Sequence, residues 1–275
     1  MSLPVTLGDA LALAHGRVPA SEARLLLREA SGERAATIVG FPERPLSDVA
    51  AQCFVDWIAR REAGEPVAYL LGEREFYGRV FRVSPAVLIP RPDTELLVEQ
   101  ALLHLPDGAP RVLDLGTGSG AIAITIALEA PHAQVSAVDV SAAALSVARE
   151  NAERLGAQVR WFEGPWCTPV QGEVFDLIAS NPPYVAAEDP HLAQGDVRFE
   201  PPGALASGPD GLSDIRIITT EAWACLKPGA WLLFEHGYDQ GDAVRALMLA
   251  AGYTDCVTLK DLGDNDRVTL GRRPV

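Results

Sequence analysis

Asp114-Leu115-Gly116-Thr117-Gly118-Ser119-Gly120 sets an acid in front of three alternating glycines. Glycines at that spacing let a chain turn sharply at a strand end and bring free backbone amides close to a ligand. Nineteen residues after Gly120, Asp139 closes a second apolar run, where a carboxylate can accept from both hydroxyls of a ribose. Two cofactors compete, because Gly116, Gly118 and Ala121 also satisfy the loose dinucleotide fingerprint. Asp114 separates them: it would repel a pyrophosphate, whereas the ammonium of a methionine-like group is drawn to it, directly or through water. S-adenosyl-L-methionine, with S-adenosyl-L-homocysteine as its product, therefore fits better than NAD. The expected cofactor-binding residues are Asp114, Gly116, Thr117, Gly118, Ser119, Gly120 and Asp139.

The second constellation is Asn181-Pro182-Pro183-Tyr184. The prolines fix their own φ and hold the residues before them extended, so the Asn181 side chain and the Pro182 carbonyl are held rigidly. An amide or exocyclic amino nitrogen has its lone pair delocalised into a π system, and two acceptors on its NH2 hydrogens can orient it towards an electrophilic methyl. Tyr184 offers a flat face against which a planar amide or a base packs. Asn181, Pro182 and Tyr184 are the expected catalytic residues. A sulfonium is already a strong electrophile, so alignment carries most of the catalysis and neither a metal nor a Ser-His-Asp set is required. The histidines at positions 15, 104, 132, 191 and 236 are accordingly expected to be structural or surface groups. Taken alone, Asn-Pro-Pro-Tyr reads equally well as a loop with an Asx turn; the upstream glycine loop tips the reading towards chemistry.

The elements that must position these residues are legible in the apolar pattern. After Arg111, apolar runs at Val112–Leu115, Gln134–Asp139, Val159–Phe162, Val174–Ala179 and Ala230–Glu235 read as strands. They alternate with helical stretches at Ala121–Glu129, Ser141–Leu155, Ser213–Cys225 and Gln240–Ala251, and two strands close the chain near Tyr253–Thr258 and Arg267–Leu270. The order predicts an α/β fold, a Rossmann-like, mostly parallel sheet with Val174–Ala179 beside the first strand. Ligands of such sheets lie at the carboxyl ends of the strands, so the loops after Leu115, Asp139, Phe162 and Ala179 are expected to converge.

Residues 1–72 read as a small helical domain, with helices near Leu7–His15 and Ser21–Ala30 and a third capped by Ser47 whose stripe is Ala50, Cys53, Phe54, Trp57 and Ile58. Residues 73–91 read as a β-hairpin linker around Gly78, and 92–275 as the catalytic domain. The chain has 275 residues, 48% hydrophobic and 22% charged, enough to bury a core without staples. A net charge of -14, with no strongly basic module on either side of residue 75, disfavours nonspecific nucleic-acid binding. Cys53, Cys167, Cys225 and Cys256 form no C-x-x-C pair and are expected to be reduced thiols. The start of the chain lacks a signal-peptide pattern and no apolar run reaches membrane-spanning length, so a cytoplasmic protein without a membrane partner is expected.

With those motifs in place, the sequence resembles the protein-(glutamine-N5) methyltransferase family that modifies peptide chain release factors. The resemblance runs over essentially the whole chain. It rests on Val83–Glu95 at the junction, Asp114–Gly120, Asn181–Tyr184, Gln194–Pro201, Glu235-His236-Gly237 and Asp261–Val268. Asn-Pro-Pro-Tyr is shared with adenine-N6 and guanine-N2 methyltransferases; the junction and Gln194–Pro201 make the narrower match. The resemblance implies a class I methyltransferase sheet whose helical N-terminal domain docks the substrate. It implies that Gly116–Gly120 and Asp139 bind S-adenosylmethionine with Trp166 by the adenine. It also implies that Asn181 touches cofactor and substrate, and that Asn181, Pro182, Pro183 and Tyr184 grip the glutamine of the Gly-Gly-Gln loop of class 1 release factors. A monomer is expected. One departure stands out: the family commonly carries an acid where this chain has Pro165, which leaves Glu163 as the candidate for that contact to the adenine amino group. Arg91–Glu95 reads as a helix start that also walls the site, and Gln194–Pro201 as part of the substrate-side wall.

Three other readings remain. A nucleic-acid amino methyltransferase would flip a base into the Asn-Pro-Pro-Tyr pocket but needs a basic surface. A cofactor-sensing module without activity is disfavoured by the intact Asn181. A dinucleotide oxidoreductase is the weaker alternative for the cofactor.

Overall fold

The alternating runs after Arg111 form a seven-stranded sheet in the computed structural model, which describes residues 3–275. The chain divides into two compact units, Met1–Glu73 and Arg74–Val275. The first unit is helical: α1 Leu7–Ala14, α2 Ala20–Ser31, α3 Ala35–Gly40, α4 Asp48–Glu62 and α5 Val67–Leu71. Ser47 caps α4 by accepting from the Ala50 amide at 3.3 Å, which satisfies one of the donors a helix start leaves open. The stripe read from the sequence buries Ala50, Phe54 and Ile58, joined by Ala51, against Leu26, Leu27 and Leu7. Arg61 of α4 grips Glu22 of α2 through two hydrogen bonds of 2.6 and 3.1 Å. The short helices α3 and α5 escape the apolar pattern, since neither is long enough to repeat a face.

The boundary falls at the first residue of β1 (Glu73–Phe76), which forms a hairpin with β2 (Arg79–Arg82); its Phe76 and Phe81 are buried in the same core cluster as Leu97, Ile122 and Leu177 of the second unit. The hairpin thus packs with the larger unit's core. Helix α6 (Thr94–Leu103) follows the Pro90–Pro92 segment. The remaining strands are β3 Arg111–Leu115, β4 Gln134–Asp139, β5 Val159–Glu163, β6 Phe175–Ser180, β7 Leu226–Glu235, β8 Thr254–Lys260 and β9 Asp266–Arg272. They are interleaved with α7 Ala121–Glu129, α8 Ala142–Leu155, α9 Ser213–Cys225 and α10 Gly241–Ala250. The order is β5-β4-β3-β6-β7-β9-β8, parallel except for β9, which runs antiparallel to both neighbours. This is a Rossmann-like α/β fold. The chain winds outward from β3 to β5 and returns to β6 beside β3, so the order reverses between those two strands and leaves a crevice at their carboxyl ends.

Strand register sets what meets at that crevice. Leu115 pairs with Ser180, and Ser180 pairs with Phe234, which brings Gly116, Asn181 and Glu235 to one level. Asp139 pairs with Glu163 on the other side. The central strands β3, β4 and β6 and the second half of β7 are largely buried on both faces and read as continuous apolar runs, as parallel sheets do, while the edge strands β5 and β8 are partly exposed. The four cysteines are free. Among the described residues no helix is long and apolar enough to cross a membrane.

Candidate active site

The loop after β3 is built from inside outward. Asp114 is wholly buried, and its Oδ2 accepts from the Thr117 hydroxyl at 2.6 Å and the Ala123 amide at 3.2 Å, tying the loop to the start of α7. Burial pushes its carboxyl up to about 7 against those two hydrogen bonds, and Oδ1 has no partner. The Gly116 and Thr117 amides donate to Val138 O, Gly118 N donates to Asp139 Oδ2 at 2.8 Å, and Gly120 N donates to Thr117 O. These amides are therefore satisfied within the protein and are not the free donors expected from the glycine pattern. What the loop offers instead is close approach: a Cβ on Gly116, whose φ is +75°, would lie 3.4 Å from the Trp166 ring.

Asp139 is anchored twice, by Gly118 N on Oδ2 and by Ser141 N at 2.9 Å on Oδ1. A carboxylate has about four acceptor positions, so each oxygen keeps capacity for a ligand hydroxyl. The loops after β3, β4, β5 and β6 converge around a cavity of about 380 Å³. Gly116, Gly118, Asp139, Trp166, Asn181 and Pro183 are among its walls, and the volume is in the range of small-molecule sites. Trp166 is held there with φ +40°, a left-handed conformation uncommon for a bulky residue.

A second cavity, about 220 Å³, is lined by Arg91, Tyr184 and Val197 among others, and by Asn181, which also lines the first. Asn181 Nδ2 donates to Thr94 Oγ1 at 3.2 Å, while its Oδ1 is buried without a partner. Tyr184 donates its hydroxyl to Glu235 Oε1 at 3.3 Å, and burial pushes the phenol well above its ordinary range. Burial likewise pushes Glu235 up to about 7, opposed by hydrogen bonding from Thr94 and by the Arg267 charge. Arg91 pairs with the buried Glu200, whose Oε2 accepts from Ile89 N at 3.0 Å. This links the junction segment to Gln194–Pro201.

Of the residues singled out in the sequence, Gly116, Gly118, Asp139, Trp166, Asn181 and Pro183 line the larger cavity, and Asn181 and Tyr184 the smaller. Asp114, Thr117, Ser119, Gly120 and Pro182 line neither. Thr117 and Ser119 are buried, and a Cβ on Gly120 would meet Ile124 Cδ1 at 2.7 Å, so that glycine serves helix packing. Glu163 is exposed and lines neither cavity, whereas Pro165 lines the larger. His236 is buried, with Nε2 2.7 Å from Thr269 Oγ1. Asp214 at the start of α9 adds a carboxylate to the larger wall, and Thr94 and Glu235 contact the Asn181–Tyr184 segment. Asp214 carries no sequence signal; Thr94 and Glu235 fall within segments that carry the resemblance, but no local pattern assigns either a contact with a residue so distant in the chain.

Comparison with known proteins identifies the family. A family model described as PrmC N-terminal domain matches residues 9–72, and one described as Methyltransferase small domain matches 92–197. A release factor glutamine methyltransferase of Xylella fastidiosa (strain 9a5c) is 50% identical over 276 residues, covering 100% of this chain and 99% of its own length. Those of Salmonella typhimurium and Escherichia coli (strain K12) are 49% and 47% identical, each over 92% of both chains. A solved methyltransferase from Pyrococcus furiosus shares the fold with a TM-score of 0.55 at 19% identity, over 80% of this chain and 99% of its own. By its likeness to these relatives over nearly its full length, the chain belongs to the release factor glutamine methyltransferase family.

Proposed function

We propose that this enzyme transfers a methyl group from S-adenosyl-L-methionine to the side-chain amide nitrogen, N5, of the glutamine in the Gly-Gly-Gln loop of class 1 release factors. The observation that carries the reading is Asn181, which stands where the two cavities adjoin with its buried Oδ1 unpartnered. One cavity is suited to the methyl donor and the other to the amide. The residues present fit the donor: the Gly116 and Gly118 backbone admits close approach, Asp139 keeps acceptor capacity for ribose hydroxyls, and Trp166 offers a ring face. The unpartnered Asp114 Oδ1, beneath the loop, is an acceptor for an ammonium through water.

When bound, the donor supplies an electrophilic methyl on a sulfonium, and leaves as S-adenosyl-L-homocysteine with the electron pair of the broken C–S bond. Asn181 Oδ1 accepts from one hydrogen of the glutamine NH2 and the Pro182 carbonyl is the proposed acceptor for the other, turning the nitrogen lone pair towards that methyl. Tyr184 packs on the planar amide. A C–N bond forms, and one N–H proton passes to water. Alignment of this kind supplies rate without an acid, a base or a metal.

The helical unit Met1–Glu73 is proposed to dock the release factor, as the resemblance implies; Phe41 and Val39 are exposed apolar side chains on it. The net charge of -14 is consistent with a protein substrate rather than a nucleic acid. The curated relatives named above lend no support to the reading as a nucleic-acid amino methyltransferase. Incubation with isotopically labelled S-adenosylmethionine and purified release factors, followed by mass mapping, tests the proposal. Label on that glutamine is the expected result, and label on nucleic acid alone would overturn it.

A further inference from the structure

We propose that Glu235 and Thr94 are positioning residues that select the orientation of the Asn181 side-chain amide, so that Oδ1 rather than Nδ2 faces the substrate NH2. The inference deepens the proposed function and rests on it for the identity of that NH2. The two ends of an asparagine amide have nearly the same shape, so sterics alone hardly distinguish them, and only the hydrogen-bond network decides which end points where. Thr94 has one hydroxyl proton. If it donated to Asn181, the asparagine would present Oδ1 inward and Nδ2 to the substrate, and an NH2 group would meet another NH2 group.

Glu235 prevents this. Its Oε1 accepts from Tyr184 at 3.3 Å, and its Oε2 is buried with no hydrogen-bond partner. The Thr94 hydroxyl, which accepts from Asn181, has its own proton to place, and the open Oε2 is the acceptor the proposal assigns to it. An ionised carboxylate is an acceptor only, so it takes the Thr94 proton and leaves Thr94 Oγ1 as an acceptor. Asn181 can then satisfy Thr94 only with Nδ2, the arrangement observed at 3.2 Å. One carboxylate at the end of β7 thereby governs both ends of Asn181–Tyr184, through Thr94 at the start of α6 and directly at Tyr184. Strand register places it there, since Phe234 pairs with Ser180. The charged and titratable groups facing Glu235 are Tyr184, Arg267 of β9 and Asp93 beside α6; Arg267 also meets Asp261 at 3.2 Å and Asp93 at 3.6 Å.

The test uses the full chain with a release factor. Thr94→Val removes the hydroxyl, Thr94→Ser keeps it, and Glu235→Gln keeps the shape while adding a donor. Thr94→Val and Glu235→Gln should lower the single-turnover methyl-transfer rate by about 10- to 100-fold, the scale of a misoriented reacting group, with cofactor Kd unchanged. Thr94→Ser should recover most of the rate. The wild-type rate should fall as pH drops through about 7, as a protonated Glu235 no longer forces the Thr94 proton, and Glu235→Gln should lack that limb. A second readout does not depend on turnover: in asparagine-labelled protein, hydrogen exchange of the Asn181 side-chain NH2 should accelerate in Thr94→Val and in Glu235→Gln. Unchanged exchange in both variants, or Thr94→Ser as slow in methyl transfer as Thr94→Val, would overturn the relay. If wild type fails to label release-factor glutamine, the substrate assignment falls while the exchange measurement still judges the relay.

Discussion

Asp139 holds the loop with which it shares a cavity: its Oδ2 accepts from the Gly118 amide at 2.8 Å, while both residues line the same wall. The acid that spacing identifies as a ribose acceptor is also the pin that shapes the glycine turn. Asp139→Ala should therefore weaken cofactor binding twice over. Hydrogen bonds to a charged acceptor are worth ~1.5–3 kcal/mol each, so a loss of at least tenfold in Kd is expected by calorimetry. An unchanged Kd in a folded variant would remove Asp139 from the site.

Asn181→Ala should preserve the fold and much of the cofactor affinity while slowing methyl transfer on the order of 100-fold, because the amide can rotate away from attack. Asn181→Asp should also be slow, by placing a charge beside the sulfonium that stabilises the ground state over the charge-dispersed transition state. Single-turnover rates compared with calorimetric Kd check both. A wild-type rate in the alanine variant would sink this mechanism.

Trp166 should report occupancy of the larger cavity, since its ring stands over Gly116 there. Intrinsic fluorescence should change on cofactor addition in wild type and change less in Trp166→Phe. The same response in both would assign the signal to another tryptophan.

Gly120→Ala should destabilise the fold, in urea denaturation, by roughly 1–3 kcal/mol of core overpacking in addition to about 1–2 kcal/mol of left-handed backbone strain. Its φ is +83°, and the added Cβ would press on Ile124 and Ala148. At Gly118, with φ +55° and open space, alanine should cost only about 1–2 kcal/mol of backbone strain. Equal losses at the two positions would contradict the packing role of Gly120.

Asp114 makes the ligand-free protein less stable as pH rises. Its carboxyl sits at about 7 in the folded chain against an ordinary value of 3.8, so between those values the folded state holds a proton that the unfolded state has lost. The stability this contributes is fully present below about pH 4 and is lost as pH rises through about 7. The unfolding free energy of wild type minus that of Asp114→Asn should therefore fall across that window. A flat difference would mean that the carboxyl is not buried as described. Cofactor binding to wild type should also release protons near pH 7, and less so in the variant.

The sequence by itself determined the strand–helix alternation and the order of the sheet's first half, because parallel strands buried on both faces must be written as short apolar runs bounded by Gly, Ser and Asp. It also placed Gly116, Asp139 and Asn181 at strand ends, where glycine turns and X-Pro restrictions are local rules. Helix α3 and the full length of β7, which begins at Leu226 rather than Ala230, escaped because short segments and irregular pairing leave no period to read. Which members of the glycine motif line the cavity is set by tertiary structure alone. Asp114 and Thr117 turn inward to bond each other, while Gly116 and Gly118 remain at the cavity. Tertiary structure also brought Thr94 and Glu235 to Asn181–Tyr184 from 87 and 51 residues away. Register is the cause: hydrogen bonding between β6 and β7 fixes Glu235 at the level of Asn181, and such a pairing belongs to the sheet and to no local stretch of chain.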